Sequence, residues 1–270
     1  MNRIHPPEQS SDDLLYDLVE FLSLEEAYIT SSLAKKTNKF IYNISHITNN
    51  SDPFNNIPNW RSFKKLVTIS FENITKGPST IPSSVRCITI HNATIGYNIN
   101  AMKLTELNLS NCATVTGISS LINLNTLSIE KVDVFGDLSC LIQLTKLKLK
   151  NQPSIKGISS LTSLTDLKIS GESSISEIDD LVNLKTLYLN TATITDISRL
   201  TNLTHLSLMR RSNVTDISTL KSLKVLNLRK NRSVKHIPDV SIIYIDYDMP
   251  AGQIYDMFKP EVPDWSKIKL

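Results

Sequence analysis

Residues 104–121 read LTELNLSNCATVTGISSL, and the phrase returns as LTKLKLKNQPSIKGISSL at 144–161 and, loosened, as LTSLTDLKISGESSISEIDDL at 161–181. Set in one register, its first leucine falls at Leu104, Leu124, Leu144, Leu164, Leu184, Leu203 and Leu223, a step of 20 residues with a single step of 19. A fixed period of this kind marks a solenoid, in which each unit is one supersecondary element stacked on the next. Within a unit the leucines run Leu-x-x-Leu-x-Leu, and further apolar residues follow at a spacing of three. In the first unit these are Leu104, Leu107, Leu109, then Val115, Ile118 and Leu121.

The Leu-x-Leu part alternates with period two and predicts a short strand with one buried face. The spacing of three predicts a tight, 3₁₀-like or extended return. A unit this short has no room for a strand, two turns and a full α-helix, so the convex side should be thin. One unit cannot bury six apolar side chains alone; stacked units can.

The segments LTELNLSNC, LKTLYLNTATITDISRLTNL and LTHLSLMRRSNVTDISTLKSL resemble leucine-rich repeats, most of all the short units of the internalin and phosphatase-regulator type. The resemblance implies an α/β leucine-rich-repeat solenoid: a right-handed arc with a parallel concave β-sheet, a convex side with little helix, and a small helical N-terminal cap. It implies protein binding on the concave face and no catalysis. In one respect the chain departs from the family, which often has Asn or Cys at the ninth position. That column reads Cys112, Val132, Gln152, Glu172, Ala192, Arg211 and Asn231. A polar ladder is therefore nearly missing, and the turn backbone is expected to need water or other partners.

Degenerate units extend the array. Leu66, Ile69, Phe71 and Val85, Ile88, Ile90 fit the strand pattern before it, and Ile242, Ile245, Tyr247 after it, for about ten strands. The expected boundaries are an N-terminal segment at 1–47, repeats at 48–250 and a C-terminal cap at 251–270. Residues 43–62, rich in Asn and Pro, read as a linker, and 253–258 as a short helix.

Before the repeats, Leu14, Leu15, Leu18, Val19 and Leu22 recur at helical spacing, and Ser23 with Glu26 forms a capping box for a second helix. The run DLLYDLVEFLSLEEAYITSSLAKKTNKF is similar to an F-box, through Asp13, Leu14, Leu15, Leu18, Val19, Phe21, Leu22, Ser23, Glu26, Leu33, Lys35 and Lys36. It lacks the Leu-Pro start, and Ala27 and Thr37 depart from the pattern. This resemblance implies docking to a Skp-family adaptor of a cullin ubiquitin ligase through Leu14, Leu15, Leu18, Phe21, Leu22 and Leu33. The alternative is a helical cap over the end of the core, which a solenoid requires.

The remaining chemistry is sparse. Net charge is +3 in 270 residues, too weak a bias to imply nucleic acid. No stretch of about 18 apolar residues spans a membrane. Three dispersed cysteines, Cys87, Cys112 and Cys140, and an N-terminus without an apolar leader suggest reduced thiols in the cytoplasm. The five histidines fall on different units, and no nucleophile constellation or Gly-rich phosphate loop exists. No cofactor or metal is expected.

A partner would meet the residues between the buried leucines. There Lys146, Lys148, Lys150 and Lys168 lie close together, beside Tyr188, His205 and Met209, with Arg229 beyond. An acidic protein partner with an apolar anchor suits this set. Lys150 beside Glu130 and Lys146 beside Asp166 also read as plain cross-strand pairs. The expected function is a monomeric, non-enzymatic protein-binding module. The alternatives are an F-box substrate receptor and a structural or self-associating repeat protein.

Overall fold

The computed structural model describes residues 46–49, 67–73, 81–94, 97–99, 103–134, 137–152, 155–246, 257 and 264–269. Every unit lays one strand into a single parallel sheet. In chain order the strands of this sheet are β1 (His46–Asn49), β2 (Thr68–Glu72), β3 (Cys87–His91), β5 (Glu106–Ser110), β7 (Thr126–Glu130), β9 (Lys146–Gln152), β10 (Asp166–Ser173), β11 (Thr186–Asn190), β12 (His205–Leu208), β13 (Val225–Asn227), β14 (Ile242–Tyr244) and β15 (Ile268–Lys269). Three shorter strands, β4 (Tyr97–Asn98), β6 (Thr114–Thr116) and β8 (Asp133–Val134), pair in parallel as a second sheet.

Register follows the repeat. Leu107, Leu127, Leu147, Leu167, Leu187, Leu206 and Leu226 stand opposite one another from strand to strand. Each is at most 2 % exposed. A one-residue slip would turn this whole row to solvent, which is why the register holds. Behind the strands the residues spaced by three form the other wall of the core. In the unit of Leu104, Ile118 and Leu121 are both buried. The Leu121 amide donates to the Ile118 carbonyl at 3.0 Å, and the Leu124 amide to Leu121 at 2.9 Å. The same two contacts recur at Leu141 and Leu144 and at Leu200 and Leu203. Regular 3₁₀ helix appears at Ile118–Ser120, Ile158–Ser160 and Trp265–Lys267.

The return turn is made in two ways. Gly117 and Gly157 adopt φ of 83° and 79°, each leading into a 3₁₀ turn. Asp137, Asp196 and Asp216 instead accept the backbone N–H two residues on, each at 2.8 Å. At Gly157 the two devices interlock, since a Cβ there would lie 1.9 Å from the Asp137 carboxylate.

Three expectations need correction. Among the described residues the sheet holds twelve strands: the ten read from the repeats, and β1 and β15 at its two edges. One of them, β1, falls inside the supposed linker and across the expected boundary at 47, pairing with β2. At the far end Ile243, not Ile245, stands opposite Leu226, so this unit is 17 residues long and its concave side chain is Tyr244. The chain then closes the sheet edge with β15.

The third correction concerns the polar ladder. β10 carries one extra residue, with a register shift between Ser170 and Ser173, so Ser173 rather than Glu172 faces Gln152. Slips in the next two turns bring Thr191 and Ser212 inward instead of Ala192 and Arg211. The Ser173 and Ser212 hydroxyls accept backbone N–H groups at 3.2 and 3.4 Å. Asn231 donates to the Met209 carbonyl at 3.1 Å and accepts from the Ser233 amide at 2.9 Å. The ladder exists: Gln152 and Asn231 hold their expected places, and Ser173, Thr191 and Ser212 fill the others one residue before or after the count. A second column lies beside it at the strand ends. Asn73, Asn92 and Asn111 take φ of 51–55°, and each later amide donates to the preceding carboxamide oxygen at 3.2 Å. Asparagine tolerates this left-handed region better than other side chains.

The expected N-terminal helices, with Leu14, Leu15, Leu18, Phe21, Leu22 and Leu33, lie outside the described residues, as does the helix expected at 253–258 apart from the buried Met257. Among the described residues no helix is long and apolar enough to cross a membrane. Cys87, Cys112 and Cys140 form no disulfide.

Candidate partner-binding face

In a strand whose leucines point into the core, the residues between them point out. On β9 Leu147 and Leu149 are buried while Lys146, Lys148 and Lys150 are exposed. Strands lie roughly 4.8 Å apart, so equivalent positions form columns across the concave sheet. One column runs Thr126, Lys146, Asp166, Thr186, His205, Val225; the next runs Ser128, Lys148, Lys168, Tyr188, Ser207, Asn227. A third begins with Glu130, Lys150, Ser170 and Asn190. The structure thus brings Lys146, Lys148, Lys150, Lys168 and Tyr188 together on adjacent strands, and sets His205, Met209 and Arg229 one to two strands further on.

The lysines differ in what they touch. Lys150 donates to Glu130 at 2.5 Å, and this bond holds the Glu130 carboxyl below its usual range. Lys146 stands opposite Asp166, but the two form no ion pair. The Asp166 carboxylate accepts the Thr165 hydroxyl at 2.7 Å instead. Lys168 lies over the Tyr188 ring, its ammonium 4.2 Å from the centroid, a cation–π contact. Among the described residues Lys146 and Lys148 have no ion-pair partner. Lys148 and Lys168 face one another as like charges, an arrangement that weakens a sheet. Around them is a concave hollow of about 490 Å³, which Lys146, Lys148, Lys168 and Tyr188 line together with Thr126, Ser128, Asp166 and Thr186.

The two ends of the face are unlike this centre. Toward the N-terminus, Asn108 donates to Glu106 at 2.9 Å and to Thr89 at 3.4 Å. Burial, and then the neighbouring Glu106 carboxylate, push the Cys87 thiol up to about 11. Cys87 is therefore protonated and a poor nucleophile near neutral pH. Toward the C-terminus, the Thr204 hydroxyl lies 3.0 Å from His205 Nδ1, Ser207 donates to the Met209 sulfur at 3.7 Å, and the Arg229 guanidinium sits 5.5 Å from the centre of the Tyr244 ring. Tyr244 was not legible as a concave residue, because the short last unit moves the register. Among the described residues no three His, Cys, Asp or Glu side chains are grouped to hold a metal ion.

The fold is similar to that of solved leucine-rich-repeat proteins. An internalin from Listeria monocytogenes str. 4b F2365, InlF, superposes with a TM-score of 0.51 at 16% identity, covering 86% of this chain and 71% of that one. The functional domain of InlJ from Listeria monocytogenes, which includes a cysteine ladder, gives a TM-score of 0.50 at 16% identity. There 76% of this chain is covered, and it spans about half, 51%, of that chain. At such identities the likeness is one of fold. No protein-family model matches the chain, and no curated protein does.

Proposed function

We propose that this chain is a non-enzymatic binding module that holds an acidic protein partner on its concave face, at the strands β9 to β11. The observation that carries the reading is the cluster of Lys146, Lys148 and Lys168 around one hollow, where Lys146 and Lys148 form no direct ion pair among the described residues and Lys168 lies over Tyr188. On the same face Lys150 is ion-paired with Glu130, and at the far end of the sheet Lys267 is ion-paired with Asp239. A carboxylate brought by a partner would relieve the like-charge contact between Lys148 and Lys168, and the half-buried tyrosine would supply apolar area. A partner met in this way suits a monomer working in the cytoplasm.

The test is affinity capture from an extract of the source cells, with the full chain and with a K148Q/Y188A variant whose fold is checked by circular dichroism. A protein held in stoichiometric amount by the first and lost from the second supports the reading. Identical captured sets from two folded chains would sink it. Beside it stands the F-box reading of residues 13–36, which rests on sequence alone. It is tested by co-purification with a Skp-family adaptor, using the full chain and one lacking residues 1–42. That cut leaves β1 in place, which removal of 1–47 would not.

A further inference from the structure

We infer that the segment read by this face carries an acidic group and, about six residues away, a bulky apolar side chain that seats over β13 and β14. This rests on the concave-face reading and adds a second contact and a spacing to it. Val225 and Ile242 are register partners on the concave side, half-buried beside the fully buried Leu226 and Ile243. Tyr244 continues the patch in the next column, and Arg229 lies against its ring. Met209, also half-buried, flanks the patch from the β12 side. The opposite flank of the lysines has no such patch: β3, β5 and β7 present Cys87, Thr89, Glu106, Asn108, Thr126 and Ser128, a single half-buried thiol among polar side chains. The apolar contact is therefore on the C-terminal side only, and the face has a direction.

The spacing follows from the sheet. From the β9–β10 pair to the β13–β14 pair is four strand steps, about 19 Å at roughly 4.8 Å each. An extended peptide rises about 3.3 Å per residue and covers that distance in about six residues. Between the anchors it would cross Thr186, His205 and Ser207, which offer hydrogen bonds and no charge of fixed sign. Nucleic acid suits the face less, because Tyr188 and Tyr244 stand three strands apart and make no continuous stacking platform.

The experiment is selection from a random-peptide display library on the immobilised full chain, repeated with K148Q and with V225T, an isosteric change that keeps the strand intact. The expected winners carry Asp or Glu and an aromatic or large aliphatic residue about six positions apart. Lengthening that gap by three residues in a synthetic winner should weaken binding about tenfold. K148Q should abolish the acidic preference alone, and V225T the apolar preference alone. Acidic winners with no fixed spacing, or winners indifferent to V225T, would overturn the two-point contact and leave the concave acidic site standing. Winners without acidic residues, or indifferent to K148Q, would overturn both, and so would a polyuridylate strand that displaces every selected peptide.

Discussion

The two faces of β9 and β10 obey opposite rules. Inward, Leu147, Leu149, Leu167 and Ile169 repeat what every neighbouring strand shows at the same height, and each is at most 2 % exposed. Outward, Lys148 and Lys168 repeat each other but nothing else in their column, which reads Ser128 on one side and Tyr188 on the other. Repetition on the inner face is a packing requirement, because each leucine is a wall for the next. No such requirement acts on the outer face, so a departure there has to be explained by something the strand does not provide. A like-charge pair directly opposed across two strands, with only the Tyr188 ring and the more distant charge of Glu130 to offset it, is such a departure.

Substitutions can separate the two rules. On the inner face, Leu167→Ala removes a wall shared by three units and should cost about 2–5 kcal/mol in urea unfolding; a smaller loss would mean that neighbouring units repack around the gap. In the return turns, Gly157→Ala forces a side chain into left-handed backbone against Asp137, and a loss of about 1–3 kcal/mol is expected from the same measurement. On the outer face, K148Q combined with K168Q should leave stability within about 0.5 kcal/mol. If that pair instead destabilised the chain like Leu167→Ala, the lysines would belong to the fold.

The ladder gives finer tests. Gln152 is buried, yet its side-chain amide nitrogen has no hydrogen-bond partner among the described residues. Gln152→Met keeps the volume and removes the unmet donor, so the urea midpoint should rise, by about 1 kcal/mol in stability. The smallest effect is at Asp216. Its carboxyl is held below the usual range, chiefly by the Ser218 backbone N–H and then its hydroxyl. A depressed folded-state pKa stabilises fully above the unfolded value of about 3.9 and is lost as pH falls through the lower folded value. The stability gap between wild type and Asp216→Asn should therefore be flat from neutral pH down to about 5 and shrink below about 4.

What could be read in advance follows the same division. The leucine register from Leu104 to Leu223 placed seven strands of the sheet and their buried rows, because burial enforces the period. Glu172, Ala192 and Arg211 misled, because turns absorb one-residue slips that a strict count carries forward. Tyr244 was missed for the same reason in a 17-residue unit, and β1 because His46–Asn49 has no leucine pair to announce it. The Lys150–Glu130 bond was legible from strand spacing. That Asp166 bonds Thr165 rather than Lys146 was not, since both choices lie within reach of one carboxylate.

The most direct measurement is an isothermal titration of the captured partner against the full chain and against K148Q/Y188A, at low and at physiological salt. Binding on the concave face predicts an affinity at least about tenfold weaker for the variant. It also predicts a wild-type affinity that falls as salt rises, since charge attraction is screened. Equal affinities for two equally stable chains, with no response to salt, would contradict it and place the partner elsewhere on the solenoid.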